Sequence, residues 1–221
     1  MKISLDHACD SRQGLRRCLG RPKACDSGPR LEHLLDIAAG VFKERGYESA
    51  SVGEIARRAG ASKQTLYVRF PSKASLFKAV MRRDTERLQE QFKHILIPDK
   101  PPGEVLESLG MELIEKMLDG ENFRLHRTLV TAAESFPELA VTFWDYGPRR
   151  VKETLTEYIH GQVRMGVLKT SDPERAASLF LSACAGEYLP ASQLRIQLVP
   201  SPEAARPHVK EAVRMFLAAY T

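Results

Sequence analysis

Aromatic residues are scarce in this chain, at 7% of 221 residues with a single tryptophan, while 43% of the residues are hydrophobic. A chain of that make-up buries a substantial core dominated by Leu, Val and Ala on helices. Cysteine is equally sparse: Cys9, Cys18 and Cys25 lie near the start and Cys184 stands far away in a helical pattern. There is no C-x-x-C and no His at zinc-ligand spacing, so no metal site is expected, and a cytosolic setting opposes stable disulfides. No apolar run approaches the ~18 residues needed to span a bilayer, and the opening residues lack the apolar stretch of a secretory signal. The expectation is a cytoplasmic protein without a membrane partner. Also missing are a Gly-rich phosphate loop, a nucleophile elbow and a telling carboxylate pair. Neither an enzyme nor a cofactor is expected. A helical enzyme with a site among Trp144, Tyr146, Glu187 and His160 is the least supported alternative. No convincing strand and no internal repeat is found, so the fold class is all-α.

What the chain does have is concentrated in residues 51–73, SVGEIARRAGASKQTLYVRFPSK. Ser51 followed three residues later by Glu54 predicts a capping box at a helix start. Ile55, Ala56 and Ala59 form an apolar stripe, and Gly60 takes the left-handed conformation that ends the helix. Ser62 is suited to cap a second helix running through Phe70, stopped by Pro71 because the residue before a proline avoids the helical region. Two short helices with a Gly-containing turn of about three or four residues make a helix-turn-helix.

That second helix is about 12 Å long, too short for a core of its own but suited to a DNA major groove. Leu66 and Phe70 share the face that anchors it. Lys63, Gln64, Thr65 and Tyr67 are left outward near its start. Gln pairs bidentately with adenine, Lys with guanine, and Thr touches a base edge or a thymine methyl. Ser62, Tyr67, Arg69 and Lys73 are placed for phosphate oxygens, which orient a protein without reading sequence. A sequence-neutral architectural binder would use the same basic surface without base contacts, and remains the alternative at this level.

The order PRLEHLLDIAAGVFKERGYESASVGEIARRAGASKQTLYVRFPSKASLF resembles the TetR/AcrR family of bacterial transcriptional regulators over residues 30–80. The resemblance implies that Ser51, Lys63, Gln64, Thr65, Tyr67 and Lys73 contact an operator, with Ser62 capping the reading helix. Gln64 stands where many members have Gly, and Val68 and Arg69 replace the commoner basic and His or Tyr residues, so no relative's operator transfers to this chain.

Charge follows the same division. Residues 1–95 hold 19 basic against 11 acidic side chains, and 96–221 hold 14 against 17. Between Ser51 and Arg83 stand Arg57, Arg58, Lys63, Arg69, Lys73, Lys78, Arg82 and Arg83 against one acid, Glu54, the electrostatic footprint of a nucleic-acid binder. Three regions are expected: a flexible basic arm over 1–29, a three-helix DNA-binding domain over 30–80, and a helical regulatory and dimerisation domain over 81–221. Within the arm, Arg21 and Lys23 in GRPK form a segment able to enter a narrow minor groove.

The first helix, about 30–45, buries Leu31, Leu34, Leu35, Ala38, Val41 and Phe42 and ends at Gly46. Ser72 caps a fourth helix running to about Leu96, a lever of roughly 35 Å between head and body. Beyond Pro98, Pro101 and Pro102, helices are expected near 103–118, 122–135, 137–165, 173–190 and 202–220, with the third interrupted at Gly147 and Pro148 and with Asp172 and Ser201 as caps. Two heads on a palindromic operator require a homodimer. Small and apolar faces on the last two helices, Ala176, Ala177, Phe180, Ala183, Cys184, Val209, Val213, Phe216 and Tyr220, are the candidates for its interface, and the resemblance implies a four-helix dimer contact there. Met111, Met117, Phe123, Thr128, Thr131, Phe143, Trp144 and Tyr146 are candidates to line a pocket between bundle helices. By the resemblance, a small apolar or amphipathic effector bound there releases a repressor from DNA.

Overall fold

The computed structural model describes residues 27–221, which form eleven α-helices and no strand. In chain order they are α1 (Ser27–Ser49), α2 (Val52–Arg58), α3 (Lys63–Arg69), α4 (Lys73–Ile95), α5 (Pro102–Leu118), α6 (Gly120–Ala132), α7 (Pro137–Tyr146), α8 (Pro148–Arg164), α9 (Pro173–Ala185), α10 (Tyr188–Leu194) and α11 (Arg206–Tyr220). A single 3-10 turn, Pro202–Ala205, precedes α11. The expected arm, with Arg21, Lys23 and three of the cysteines, lies outside the described residues.

Local chemistry sets most of the boundaries. Helical hydrogen bonding continues to Ser49, but Gly46 breaks α1 with φ 75° and ψ 171°, backbone angles that cost an L side chain but not glycine. Gly60, at φ 63°, makes the turn between α2 and α3. Ser72 and Ser75 cap α4 reciprocally, each hydroxyl accepting from the other's backbone N–H at 3.1 and 3.0 Å. Asp172 accepts from the Arg175 N–H at 2.9 Å and starts α9.

Elsewhere the observed boundaries differ from the sequence expectation. Ser51 does cap α2, accepting from the Gly53 N–H at 3.2 Å. Glu54 does not complete the box; it meets Arg58 at 2.7 Å, a charge-assisted partner one turn along the same helix. Helix α3 ends at Arg69, because Phe70 before Pro71 is extended at φ −127° and ψ 94°. The expected interruption of the 137–165 segment does fall at Gly147, where an added Cβ would lie 2.9 Å from the Phe143 carbonyl oxygen. The 173–190 segment ends early, since Gly186 at φ 38° turns the chain into the separate α10. Ser201 makes no side-chain cap bond, and it opens the 3-10 turn rather than an α-helix.

Two hydrophobic cores result. The body core joins Phe92 of α4 to Val105, Leu106, Leu109 and Ile114 of α5, Leu155, Tyr158 and Ile159 of α8, Phe180 and Cys184 of α9, and Val209, Val213 and Phe216 of α11. Helices α5 and α11 approach so closely that a Cβ on Gly110 would sit 2.6 Å from Val209 Cγ1. The head core joins α1, α2, Leu66 of α3 and the first two turns of α4, and it also takes in Leu125, Leu129 and Ala132 of α6 and Leu139 of α7. An aromatic chain crosses this second core: Phe42 meets Phe77 edge-on at 4.9 Å, Phe77 meets Tyr47 at 5.1 Å, and Tyr47 meets Phe136, just before α7, at 4.8 Å.

The residues expected at a dimer interface require a correction. Ala176, Ala177, Phe180, Cys184, Val209, Val213 and Phe216 are buried within the single chain. The small and apolar faces chosen for close helix packing are used by α9 and α11 against each other and against α5 and α8. The large apolar side chains these two helices leave outward are Leu179 and Met215, 53% and 56% exposed.

Candidate nucleic-acid interface

Helix α3 is held on the head by one buried side chain, Leu66, with Phe70 half-buried beside it. Everything else on the helix faces outward: Lys63, Gln64, Thr65, Tyr67, Val68 and Arg69 are all exposed. Seven residues rising 1.5 Å each give a rod of about 10 Å, narrow enough for a groove about 12 Å wide. Its start is fixed by Ser62, whose hydroxyl oxygen accepts from the Thr65 N–H at 3.0 Å and lies 2.7 Å from the Thr65 hydroxyl. A cap of this kind stabilises a helix by ~1 kcal/mol, a large share for two turns. The Lys63 ammonium stands 5.8 Å from the Tyr67 ring centroid, so these two side chains share one edge of the rod.

The surrounding cations divide into two groups. Arg58 bridges Glu44 at 2.8 Å and Glu54 at 2.7 Å, fastening α2 to α1. Arg82 pairs with Glu86 on its own helix. Arg83 is only 8% exposed, bonded to Asp36 and Asp84 at 2.9 Å each and to the Glu32 carbonyl at 3.1 Å. It is a strut between α4 and α1, neither a DNA cation nor a solvated charge. Arg57, Lys63 and Arg69 remain exposed around the reading helix.

Lys73 is not a freely hydrated cation. Its ammonium donates to the Glu48 carbonyl at 2.7 Å and stands 4.7 Å over the Tyr47 ring. Burial holds its pKa below the ordinary value, opposed by the Glu48 charge. One of its three N–H donors is thus spent on tying the start of α4 to the end of α1. Ser51 is exposed at the head of α2.

The expected pocket residues are not gathered at one place. Met111 and Met117 pack half-buried against the body core. Phe123 and Phe143 do converge, with the His126 ring between them at 4.4 and 5.0 Å. Burial, and then the Arg127 charge, depress the His126 pKa. Thr128 is buried against α1 with its hydroxyl 3.5 Å from the Phe42 carbonyl, and Thr131 donates back to the Thr128 carbonyl at 2.9 Å. Trp144 is 59% exposed, and Tyr146 is also on the surface. Met117 also lines an open groove of about 650 Å³ between the end of α5, α6 and the segment after α10. Arg127 crosses from α6 to α10 there, donating to the Ser192 carbonyl at 3.1 Å.

Sequence reasoning does not single out Val68 as a functional residue, although its spacing of four from Gln64 places both on one face. The helix α10 is also unforeseen; Gly186 is the signal that marks it. Among the described residues no cluster of three or more His, Cys, Asp or Glu is placed to hold a metal, and no helix is long and apolar enough to cross a membrane.

A two-turn reading helix, capped, anchored by a single leucine and ringed by exposed cations on a helical body, defines a helix-turn-helix DNA-binding protein. Comparison with known proteins gives the family. Residues 34–80 match the model for bacterial regulatory proteins of the tetR family, and residues 104–221 match that for the C-terminal domain of AefR-like transcriptional repressors. The chain belongs to the TetR family of bacterial transcriptional regulators, which act on DNA and are not enzymes. Among curated relatives, the HTH-type transcriptional activator FasR of Mycolicibacterium smegmatis is 42% identical over 80 residues, which cover 35% of this chain and 36% of FasR. The HTH-type transcriptional repressor ComR of Escherichia coli K12 is 38% identical over 80 residues, 36% of either chain. The matches therefore span about a third of these relatives. Among solved structures, a TetR-family regulator from Mesorhizobium loti superposes with a TM-score of 0.82 at 25% identity, over 88% of this chain and 98% of the other. The flavonoid-responsive regulator FrrA superposes at 0.72 with 27% identity over the same shares.

Proposed function

We propose that the chain is a homodimeric repressor that holds a palindromic operator in two successive major grooves and leaves it when a small amphipathic molecule binds the body. In this reading Lys63, Gln64 and Thr65 meet base edges, while Ser51, Ser62, Tyr67, Arg69 and Lys73 orient the head on phosphates. Arg21 and Lys23 add a minor-groove contact. The match of residues 104–221 to a repressor's C-terminal domain favours repression over activation. The outward sides of α9 and α11, where Leu179 and Met215 stand among Arg175, Ser182, Glu211 and Arg214, supply a mixed apolar and polar surface for the second copy. Association through it multiplies two weak head affinities through a high effective concentration.

The observation that carries the regulatory part is the shared head core. Helices α6 and α7 place Leu125, Leu129, Ala132 and Leu139 among the residues that support α3. A ligand that favours one arrangement of α6 and α7 changes the support of the head through the contact of α6 with α1 and of α7 with α4. It lowers operator occupancy only by its preference for the DNA-incompetent arrangement.

Footprinting on DNA flanking the protein's own gene, with sedimentation mass measured alongside, tests this reading. A protected inverted repeat bound by two chains is expected. Equal competition by random duplex DNA would identify a sequence-neutral binder instead.

A further inference from the structure

We infer that Val68 is a base reader that selects thymine through its 5-methyl group. The inference rests on the reading that α3 enters the major groove and adds a residue and a chemical preference to it.

Val68 is the most exposed of the large apolar side chains described, at 82%. A lone apolar side chain on a surface usually needs no explanation, but this one has a particular place. Successive helical residues are rotated by about 100°, so Gln64 and Val68 lie about 160° and 200° around the helix from Leu66. Leu66 is the side chain that anchors α3 to the head. Gln64 and Val68 therefore point most directly away from the protein, one turn apart, and whatever faces α3 meets them first. Among the described residues Val68 is left almost wholly uncovered, and a β-branched residue adds little helical propensity to a two-turn helix.

The chemistry of the two side chains is complementary. Gln64 offers an amide donor and acceptor, matching the N6 and N7 edge of adenine. Val68 offers neither, and a polar base edge pressed against its methyls loses water without gaining a hydrogen bond. The apolar feature in the major groove is the thymine methyl. Thr65, the other side chain able to meet that methyl, lies only about 100° round the helix from Leu66 and so points less directly away from the protein. Val68 thus reads a thymine one step along the groove from the base pair read by Gln64.

The test uses full-length protein and a duplex selected by it from a random library. Each thymine is replaced singly by deoxyuridine, which removes only the methyl group. Replacement of the contacted thymine in one half-site is expected to weaken binding about fourfold, from the removal of one buried carbon; replacement in both half-sites weakens it about fifteenfold. Val68→Ser abolishes this discrimination and Val68→Ile keeps it. Gln64→Ala lowers affinity while leaving the thymine-to-deoxyuridine ratio intact. Circular dichroism checks that both Val68 variants fold, as expected for so exposed a position. Specific binding with no sensitive thymine, or a Val68→Ser variant that still discriminates, overturns the thymine inference while leaving the major-groove reading standing. Failure to select any duplex overturns both.

Discussion

The two cores of this protein are assembled on different plans. The body core is built between helices from Pro102 onward, closed by the tight approach of α5 to α11 at Gly110, with Phe92 of α4 joining it. The head core is incomplete without four residues that come 44 or more positions after Met81, the last head-core residue on α4: Leu125, Leu129, Ala132 and Leu139. The contrast teaches that the reading helix does not sit on a free-standing three-helix unit. Its support includes α6 and α7, which also contact the body, so changes in the body have two ways to the DNA surface. One is the rigid α4. The other is the packed contact of α6 with α1 and of Phe136 with Tyr47.

The largest expected effect breaks the shared core. Leu139→Ala, at a fully buried position, should cost ~2–5 kcal/mol of stability and also weaken operator binding at temperatures where the protein remains folded. Denaturant unfolding followed by the fluorescence of Trp144, together with an affinity titration, checks both. Unchanged DNA affinity would mean that the head stands alone. Gly110→Ala strikes the other core. The Cβ must displace Val209 and Cys184, and the gain in helix propensity of ~1 kcal/mol offsets only part of the strain, leaving a net loss of about 1–2 kcal/mol. Operator affinity of the folded variant should stay near that of the parent, because none of the displaced atoms belongs to the head core.

A pH measurement sharpens the comparison at the junction of α6 and α7. The His126 pKa is depressed in the folded state from an ordinary 6.5, chiefly by burial. The unfolded chain therefore takes up this proton first as pH falls, and folding stability is lost from about pH 6.5 downward to the folded value. His126→Phe should flatten that part of the stability profile, read by thermal melts from pH 5 to 8. If the slope persists, other groups carry it.

In the body, burial pushes the Cys184 thiol up to about 12. In a variant with Cys9, Cys18 and Cys25 replaced by Ser, iodoacetamide at pH 8 should leave Cys184 unlabelled until denaturant is added; labelling of the folded protein would show that the body core opens locally. The smallest effect expected is at the DNA surface itself. Lys63→Ala should reduce the slope of log affinity against log salt by about 0.9 if its ammonium lies on a phosphate, and by little if it reads a base.

The helix-turn-helix was legible in sequence because its determinants are local: a glycine for φ 63° at position 60, hydroxyl caps at Ser51, Ser62 and Ser72, and Pro71 forcing Phe70 out of the helix. The all-helical class was legible for the same reason, through periodicity and punctuation. Periodicity marks a side chain as apolar-facing but does not say which surface covers it. Phe180 and Phe216 read equally well as a dimer face and as intrachain core, and only the folded chain puts them edge to edge at 5.4 Å. Charge has the same ambiguity: Arg57 and Arg83 look alike in sequence, yet one is exposed and the other is enclosed by Asp36, Asp84 and Glu32.

By itself, then, the order of residues determined the helical class, the starts and stops of the helices in the head and which short rod is available to read DNA, since those properties depend on neighbours a few positions away. Which apolar faces meet, which cations are neutralised, and that α6 and α7 complete the head were decided only in three dimensions. Those outcomes depend on contacts between segments as much as 100 residues apart, whose partners carry no mark of each other in the chain.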